Sequence, residues 1–246
     1  MKEGLRKIIF CISLIVFLVA GYKLFTIVWQ YKQNADYYNN LRQYAPKLVQ
    51  VDGEDTYKFM NDDYETLYNM NSEFKAWIIV PGTNVNYPVM KGEDNDYYLK
   101  NSLNMAPING GSIFFAYDIP NQLDALNTVI HGHHMKNGSM FGSLYKYNKQ
   151  NFFNNNPYIY VVTKDKTYKY QIFSVYTDLV STDPYKYGFT SPSEFVQYLN
   201  DLNDKSLFQR EMDPFTDKDK IVTLSTCSYD FNDARMLIHG RLIKVD

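Results

Sequence analysis

The sequence predicts a mainly β domain, of barrel or sandwich type, behind an N-terminal membrane anchor. Three observations predict it. From Ala76 onward, short runs rich in Tyr, Phe and β-branched residues follow one another with turn signals between them. Aromatic residues make up 17% of the 246 residues, with 23 Tyr and 16 Phe, a composition suited to pleated, half-buried surfaces. A long apolar run stands at the extreme N-terminus, apart from everything else. The length allows one main domain plus attachments. Net charge is −2 and the pI about 6.1, so nothing points to nucleic acid as a partner.

The anchor comes first. Lys2, Arg6 and Lys7 precede an apolar run from Ile8 to Ala20, and a second stretch, Leu24 to Trp29, follows Gly21-Tyr22-Lys23. A cleaved signal would pass from a small-residue site into a polar start. Here Val19-Ala20-Gly21 leads into more apolar sequence. Ile8 to Trp29 is about the length that crosses a bilayer. Lys23 lies near the outer end, where a long side chain snorkels, and Trp29 and Tyr31 suit the interface. The basic flank predicts a single pass with the N-terminus inside and the rest outside the cell membrane.

Residues 32–75 are polar, Asn- and Tyr-rich, and broken by Pro46 and Asp52-Gly53. Apolar residues at helical spacing (Tyr37, Leu41, Tyr44, Leu48; then Tyr57, Met60, Tyr64, Leu67, Met70) predict two short helices, with a partly ordered stalk as the alternative for the first. Strands are predicted at 76–80, 86–90, 111–116, 127–131, 158–163, 166–175, 220–225 and 235–243. Helical insertions are predicted at 139–147 and from Pro192 to 204; the second opens on Ser191-Pro192 and repeats Phe195, Tyr198, Leu199 and Leu202 on one face. The chain thus divides into 1–31, cytoplasmic tail and anchor; 32–75, helical region or stalk; and 76–246, the main domain.

Cys11 lies in the apolar run and Cys227 near the C-terminus, so a disulfide between them is not expected. Cys227 follows a strand-like run, a rigid support for a nucleophile. His131, His133 and His134 follow another strand, and an imidazole exchanges a thiol's proton near neutral pH. Arg235 lies eight residues after Cys227, within reach of the thiol and of an oxyanion formed there. Taken singly, a buried structural Cys, a surface Arg and a metal-binding histidine cluster explain the same residues, although the cluster lacks a carboxylate or thiolate to complete a metal set. His239 reads as a satisfied histidine within a strand.

The combination resembles the class B sortases, cysteine transpeptidases of Gram-positive cell surfaces. Thr223-Leu224-Ser225-Thr226-Cys227 is similar to that family's nucleophile signature, Gly132 to Gly142 to its histidine segment, and Ala234 to Leu242 to its arginine strand. Tyr87 to Met90, Asp94 to Leu99 and Gly110 to Phe114 also match, in order, so the likeness runs from about Trp77 to the C-terminus. The resemblance implies a closed β-barrel of about eight strands, with N-terminal helices and a helix inserted before the cysteine strand. It implies Cys227 as nucleophile, His133, the histidine after the Gly, as acid/base, and Arg235 as oxyanion or substrate-positioning group. Substrate binding falls to Ser225, Thr226 and Tyr187. Some members carry an Asp two residues after the Cys; here Tyr229 stands there and Asp230 follows.

The implied reaction cleaves a C-terminal sorting motif of exported surface proteins after Thr and joins them, through a thioacyl intermediate, to a peptidoglycan precursor amine. No cofactor or metal is implied. Two other readings stay open. One is another wall-active cysteine enzyme, an L,D-transpeptidase or endopeptidase, although Gly would be expected directly before the Cys of the former. The other is a surface module binding haem or metal.

Overall fold

The computed structural model describes residues 3–51, 53–119, 121–179, 185–186, 188–227 and 234–246, with Cys227 described by its backbone alone. The first proline of the chain is Pro46, and helix α1 (Glu3–Leu41) runs 39 residues to just short of it, followed by one 3-10 turn at Arg42–Tyr44. Its apolar stretch is exposed along its length, and the helix is long and apolar enough to cross a membrane. Only its last turns pack on protein, through Asn34, Tyr38 and Leu41, which recur at one-turn spacing.

Two strands follow, β1 (Lys47–Val51) and β2 (Glu54–Lys58), paired antiparallel across Asp52-Gly53, with Gly53 at φ +83°. This corrects the expectation of two helices over this region. The first is the continuation of the anchor helix and ends at Leu41, leaving Leu48 in a strand. Of the second, the part from Asp63 to Met70 forms (α2), while Tyr57 lies in β2. The aspartate–glycine pair favours a hairpin link.

All eight strand segments expected from turn signals form: β3 (Phe74–Ile79), β4 (Asn86–Met90), β5 (Ile113–Phe115), β6 (Asn127–His131), β7 (Tyr158–Val162), β8 (Thr167–Leu179), β9 (Ile221–Cys227) and β10 (Ala234–Val245). They close into one barrel in the order β10-β8-β7-β3-β4-β5-β6-β9. The neighbours β4–β5 and β6–β9 are parallel and the rest antiparallel. Trp77, Val89, Phe114, Ile130, Val161, Leu224 and Ile238, one from each of seven strands, are buried in the core. Closure removes the open edges that would invite aggregation.

The insertion expected at 139–147 is a 3-10 segment, Gly142–Asn148, followed by a short helix α3 (Gln150–Asn155). Helix α4 (Pro192–Asp204) begins where the sequence predicts. Ser191 Oγ accepts from Glu194 N at 3.1 Å, and the Glu194 carboxylate accepts from Thr190 N at 2.5 Å, a reciprocal cap. Phe195, Leu199 and Leu202 seat α4 on Phe173, Tyr176, Ile221 and Leu237, outside the barrel and beside the cysteine strand.

Candidate active site

Strand β9 lies between β6 and β10, and its register decides which residues meet. Along the parallel β6 edge, His131 pairs with Ser225, and Gly132 N donates to the Ser225 carbonyl at 3.2 Å. Along the antiparallel β10 edge, Cys227 pairs with Arg235. Directly opposed residues have Cβ atoms about 5 Å apart. The last residues of β6 and β9 and the first of β10 therefore meet at one end of the barrel.

His133 lies just beyond β6 in a loop closed on itself: Phe141 N donates to the His133 carbonyl at 3.0 Å, and His134 and Met140 form an isolated bridge. Gly132 is required there by close packing, because a Cβ would fall 2.4 Å from Ile113 Cδ1 and 2.8 Å from Phe141 Cδ2. His133 Nε2 lies 2.7 Å from the Leu99 carbonyl. A carbonyl only accepts, so Nε2 carries the hydrogen and Nδ1 is the nitrogen left to exchange a proton.

His133 and Arg235 line one cavity of about 270 Å³, together with His131, Tyr185, Ser225 and Thr226. The Tyr185 hydroxyl and Ser225 Oγ are 2.5 Å apart, and the Tyr185 ring meets His131 edge-on at 5.3 Å. Thr226 Oγ1 is buried and has no hydrogen-bond partner among the described residues. Burial pushes the His131 ring down to about 4; Asp118 opposes that shift, and the Arg235 cation adds to it. His131 is therefore neutral near pH 7. His134 turns elsewhere, with its ring 5.9 Å from Tyr145. Among the described residues, no three His, Cys, Asp or Glu side chains gather as a metal-binding group.

The sequence-predicted His133, Arg235, Ser225 and Thr226 thus border one cavity, and the Cys227 backbone sits opposite Arg235. The Cys227 side chain, Tyr187, Tyr229 and Asp230 lie outside the described residues. Sequence reasoning missed Tyr185, which stands two positions before Tyr187 and lines the cavity. It also missed Asn127, fully buried at the start of β6. Asn127 Nδ2 donates to the Lys186 carbonyl at 2.9 Å, and its Oδ1 accepts from Thr223 Oγ1 at 2.8 Å. Thr223 Oγ1 in turn lies 2.9 Å from His239 Nδ1. The Thr223 hydrogen is already given to Asn127, so His239 Nδ1 is the donor in the second bond. His239 is satisfied at Nδ1 as expected, but its buried Nε2 has no partner among the described residues. No local sequence signal marks this chain of bonds, because its members lie far apart in sequence.

Comparison with known proteins bears on the fold and the family. The family model described as the sortase domain matches residues 78–243. Sortase B of Listeria monocytogenes is 31% identical, over 98% of each chain. Sortase B of Staphylococcus aureus is 30% identical, over 94% of this chain and 93% of its own. The crystal structure of sortase B from B. anthracis superposes with a TM-score of 0.76 at 30% identity, over 88% of this chain and 99% of that one.

Proposed function

The chain belongs to the sortase family, in its class B, the cysteine transpeptidases that anchor proteins to the cell wall, and from that premise we propose that Cys227, His133 and Arg235 carry its chemistry. The observation that carries the assignment is the register opposing Cys227 to Arg235 at the mouth of a cavity that His133 also lines. The Cys227 thiolate attacks the carbonyl of a Thr in the sorting motif of an exported protein. Arg235 and nearby backbone N–H groups stabilise the oxyanion. His133, as imidazolium, gives its proton to the leaving amine, and a thioacyl enzyme remains. His131 is less suited to that role, because a ring held neutral by burial has no proton to give. Thr226 Oγ1, which has no partner among the described residues and lies beside the cavity, and the Tyr185–Ser225 pair are the groups that bind the motif, with Tyr187 close by in sequence.

A peptidoglycan precursor amine then resolves the thioester, joining protein to wall. The anchor fits this task in a single pass, N-terminus inside and barrel outside, since both substrates sit at the outer membrane face. Mass spectrometry of the trapped intermediate tests the reading. The full chain incubated with sorting peptides should gain the mass of a fragment ending in Thr, and Cys227→Ala should gain nothing while staying folded. An adduct of muropeptide mass would favour an L,D-transpeptidase instead, and turnover by Cys227→Ala would remove the nucleophile.

A further inference from the structure

Every proton transfer assigned to His133 depends on which ring nitrogen carries the fixed hydrogen, and the Leu99 carbonyl, 2.7 Å from Nε2, decides that. Leu99 closes a 3-10 turn, Tyr97–Leu99, between β4 and β5, and it belongs to no strand. The residue beside it is Tyr98, whose side chain is fully buried and whose hydroxyl is gripped by Asn71 and Glu73, just ahead of β3. We propose that Tyr98, clamped by Asn71 and Glu73, is a positioning residue that aims the Leu99 carbonyl and so fixes the tautomer of His133. The inference rests on the acid/base reading of His133 above and adds what keeps that ring in its working form.

The clamp satisfies the phenol completely. The Tyr98 hydroxyl gives its one hydrogen to the Glu73 carboxylate and accepts from Asn71 Nδ2 at 3.0 Å. Asn71 Nδ2 also donates to the Leu103 carbonyl at 2.8 Å, and Asn71 Oδ1 accepts from Glu73 N at 2.9 Å, so the two clamp residues orient each other. Asn71 N closes α2 on the Leu67 carbonyl at 3.2 Å, and the Glu73 carbonyl accepts from Lys91 N, just past β4, at 2.8 Å. The clamp is therefore built into the junction of α2, β3 and β4. Burial, with the Glu73 bond adding to it, pushes the phenol well up, so Tyr98 stays protonated near neutral pH.

An aimed carbonyl also needs its neighbours held. The Tyr98 carbonyl accepts from Ser112 N at 2.8 Å, and Leu99 N donates to the Asp96 carbonyl at 3.1 Å. The turn runs so close to Gly111 that a Cβ there would fall 2.5 Å from both the Tyr98 and the Leu99 carbonyl oxygens, and Gly111 has φ +54°. A Cβ on Gly92 would lie 3.1 Å from Tyr98 Cε2, so the ring is packed as tightly as the backbone. Together these contacts hold the turn with the Leu99 oxygen on His133 Nε2.

The consequence is chemical. With Nε2–H held by the carbonyl, the neutral ring presents a bare Nδ1. In the first half-reaction the imidazolium gives its Nδ1 proton to the leaving amine. In the second, Nδ1 takes the proton of the attacking amine, and the Nε2 hydrogen never moves. Freed of the carbonyl, the neutral ring also adopts the Nδ1–H tautomer, which has no lone pair where that second proton must go. The loss falls on turnover rather than affinity, since Tyr98 is not among the residues that line the cavity.

The full chain in detergent, carrying isotope-labelled histidine, tests this by nitrogen NMR at alkaline pH, with the imidazoles neutral. His133→Gln identifies the resonances. The wild-type chain should carry the His133 hydrogen on Nε2 alone, and Tyr98→Phe should show both tautomers. Tyr98→Phe should also lose about tenfold in kcat for sorting-peptide cleavage, a share of the ~10²–10⁴ that acid–base catalysis supplies, with KM within about twofold. Glu73→Gln, which still accepts from Tyr98, should behave as wild type, and Glu73→Ala as Tyr98→Phe. A loss of stability alone, read below the unfolding midpoint of each variant, moves neither the tautomer nor this ranking. The Nε2–H tautomer and full kcat in both Tyr98→Phe and Glu73→Ala, with His133→Ala inactive, overturn the clamp and leave the acid/base reading standing. Wild-type cleavage by His133→Ala removes both readings. Should Tyr98→Phe fail to fold, the two variants at the half-buried Glu73 decide the question.

Discussion

Two histidines two residues apart border the cavity that carries the proposed chemistry, and their surroundings give them opposite characters. Both rings are half-buried, but His131 is packed against Phe114 and Tyr185 and kept neutral by desolvation, while His133 has Nε2 pinned by the Leu99 carbonyl and Nδ1 left to exchange a proton. His133→Ala should therefore lower sorting-peptide cleavage about 10²–10⁴-fold, the usual weight of general acid–base catalysis. His131→Ala should retain most turnover and act mainly on stability or substrate affinity. Steady-state cleavage assays check the pair, and the reverse ranking would move the proton donor. Arg235→Lys keeps the charge but loses the planar fork, and a loss of about 10²-fold in kcat is expected if its donors meet the oxyanion. Near-wild-type rates would leave Arg235 a strand residue with no chemical part. The residue types and their strand-end positions were legible in the chain. Histidine spacing alone left the choice among His131, His133 and His134 open, because burial depends on Phe114 and Tyr185, which are remote in sequence.

At the scale of elements, the segment leading into α4 is held from the outer face of the barrel, on the side that α4 covers. Asn127 grips the Lys186 carbonyl, Thr223 grips Asn127, and His239, buried against Phe173 and Tyr176, donates to Thr223. Lys186 Nζ adds an ion pair to Glu194 on α4 at 2.6 Å. Tyr185, the neighbour of Lys186, is thereby set against Ser225 in the cavity. Asn127→Ala cuts this tether and leaves Thr223 short of an acceptor, so it should cost about 1–3 kcal/mol of stability. Its diagnostic effect is on binding: KM for the sorting peptide should rise several-fold with kcat less affected, and Thr223→Val should follow the same pattern. Equal falls in kcat with unchanged KM would argue that the tether has no hold on the substrate wall. The elements themselves were legible to different degrees. The barrel strands are set apart by Gly, Pro and Asn turns, and α4 has its own cap, so local signals sufficed. The β1–β2 pair was not read, because Tyr57, Met60 and Tyr64 fit a helical spacing and Lys47 to Val51 does not alternate strictly, so only the pairing of the two strands decides. Helix α1 passes the membrane edge because nothing before Pro46 stops it.

Over the whole molecule, the fully buried His239 and the half-buried His131 make folding sensitive to mild acid. Burial holds His131 at about 4 and His239 at about 3, against an ordinary value near 6.5. Between those limits the unfolded chain binds protons at both sites and the folded chain does not, so stability is full above pH 6.5 and falls as pH drops below it. Each site contributes a slope approaching about 1.4 kcal/mol per pH unit until its folded-state value is reached. The carboxylates act in a lower window. Glu194, held at about 2 by Lys186 and Thr190, stabilises above its ordinary carboxylate range and loses that contribution only as pH falls through it. The interval from pH 6.5 to 4.5 therefore belongs mainly to histidine. Thermal unfolding of the chain in detergent at pH 7.5, 6 and 5 should give a midpoint that falls steadily, since the membrane helix brings no histidine of its own. His239→Gln removes one of the two titrating sites while keeping a donor for Thr223, and it should flatten the decline by about one proton's worth. A midpoint unchanged between pH 7.5 and 5 would mean that neither ring is shielded from water as the barrel packing requires.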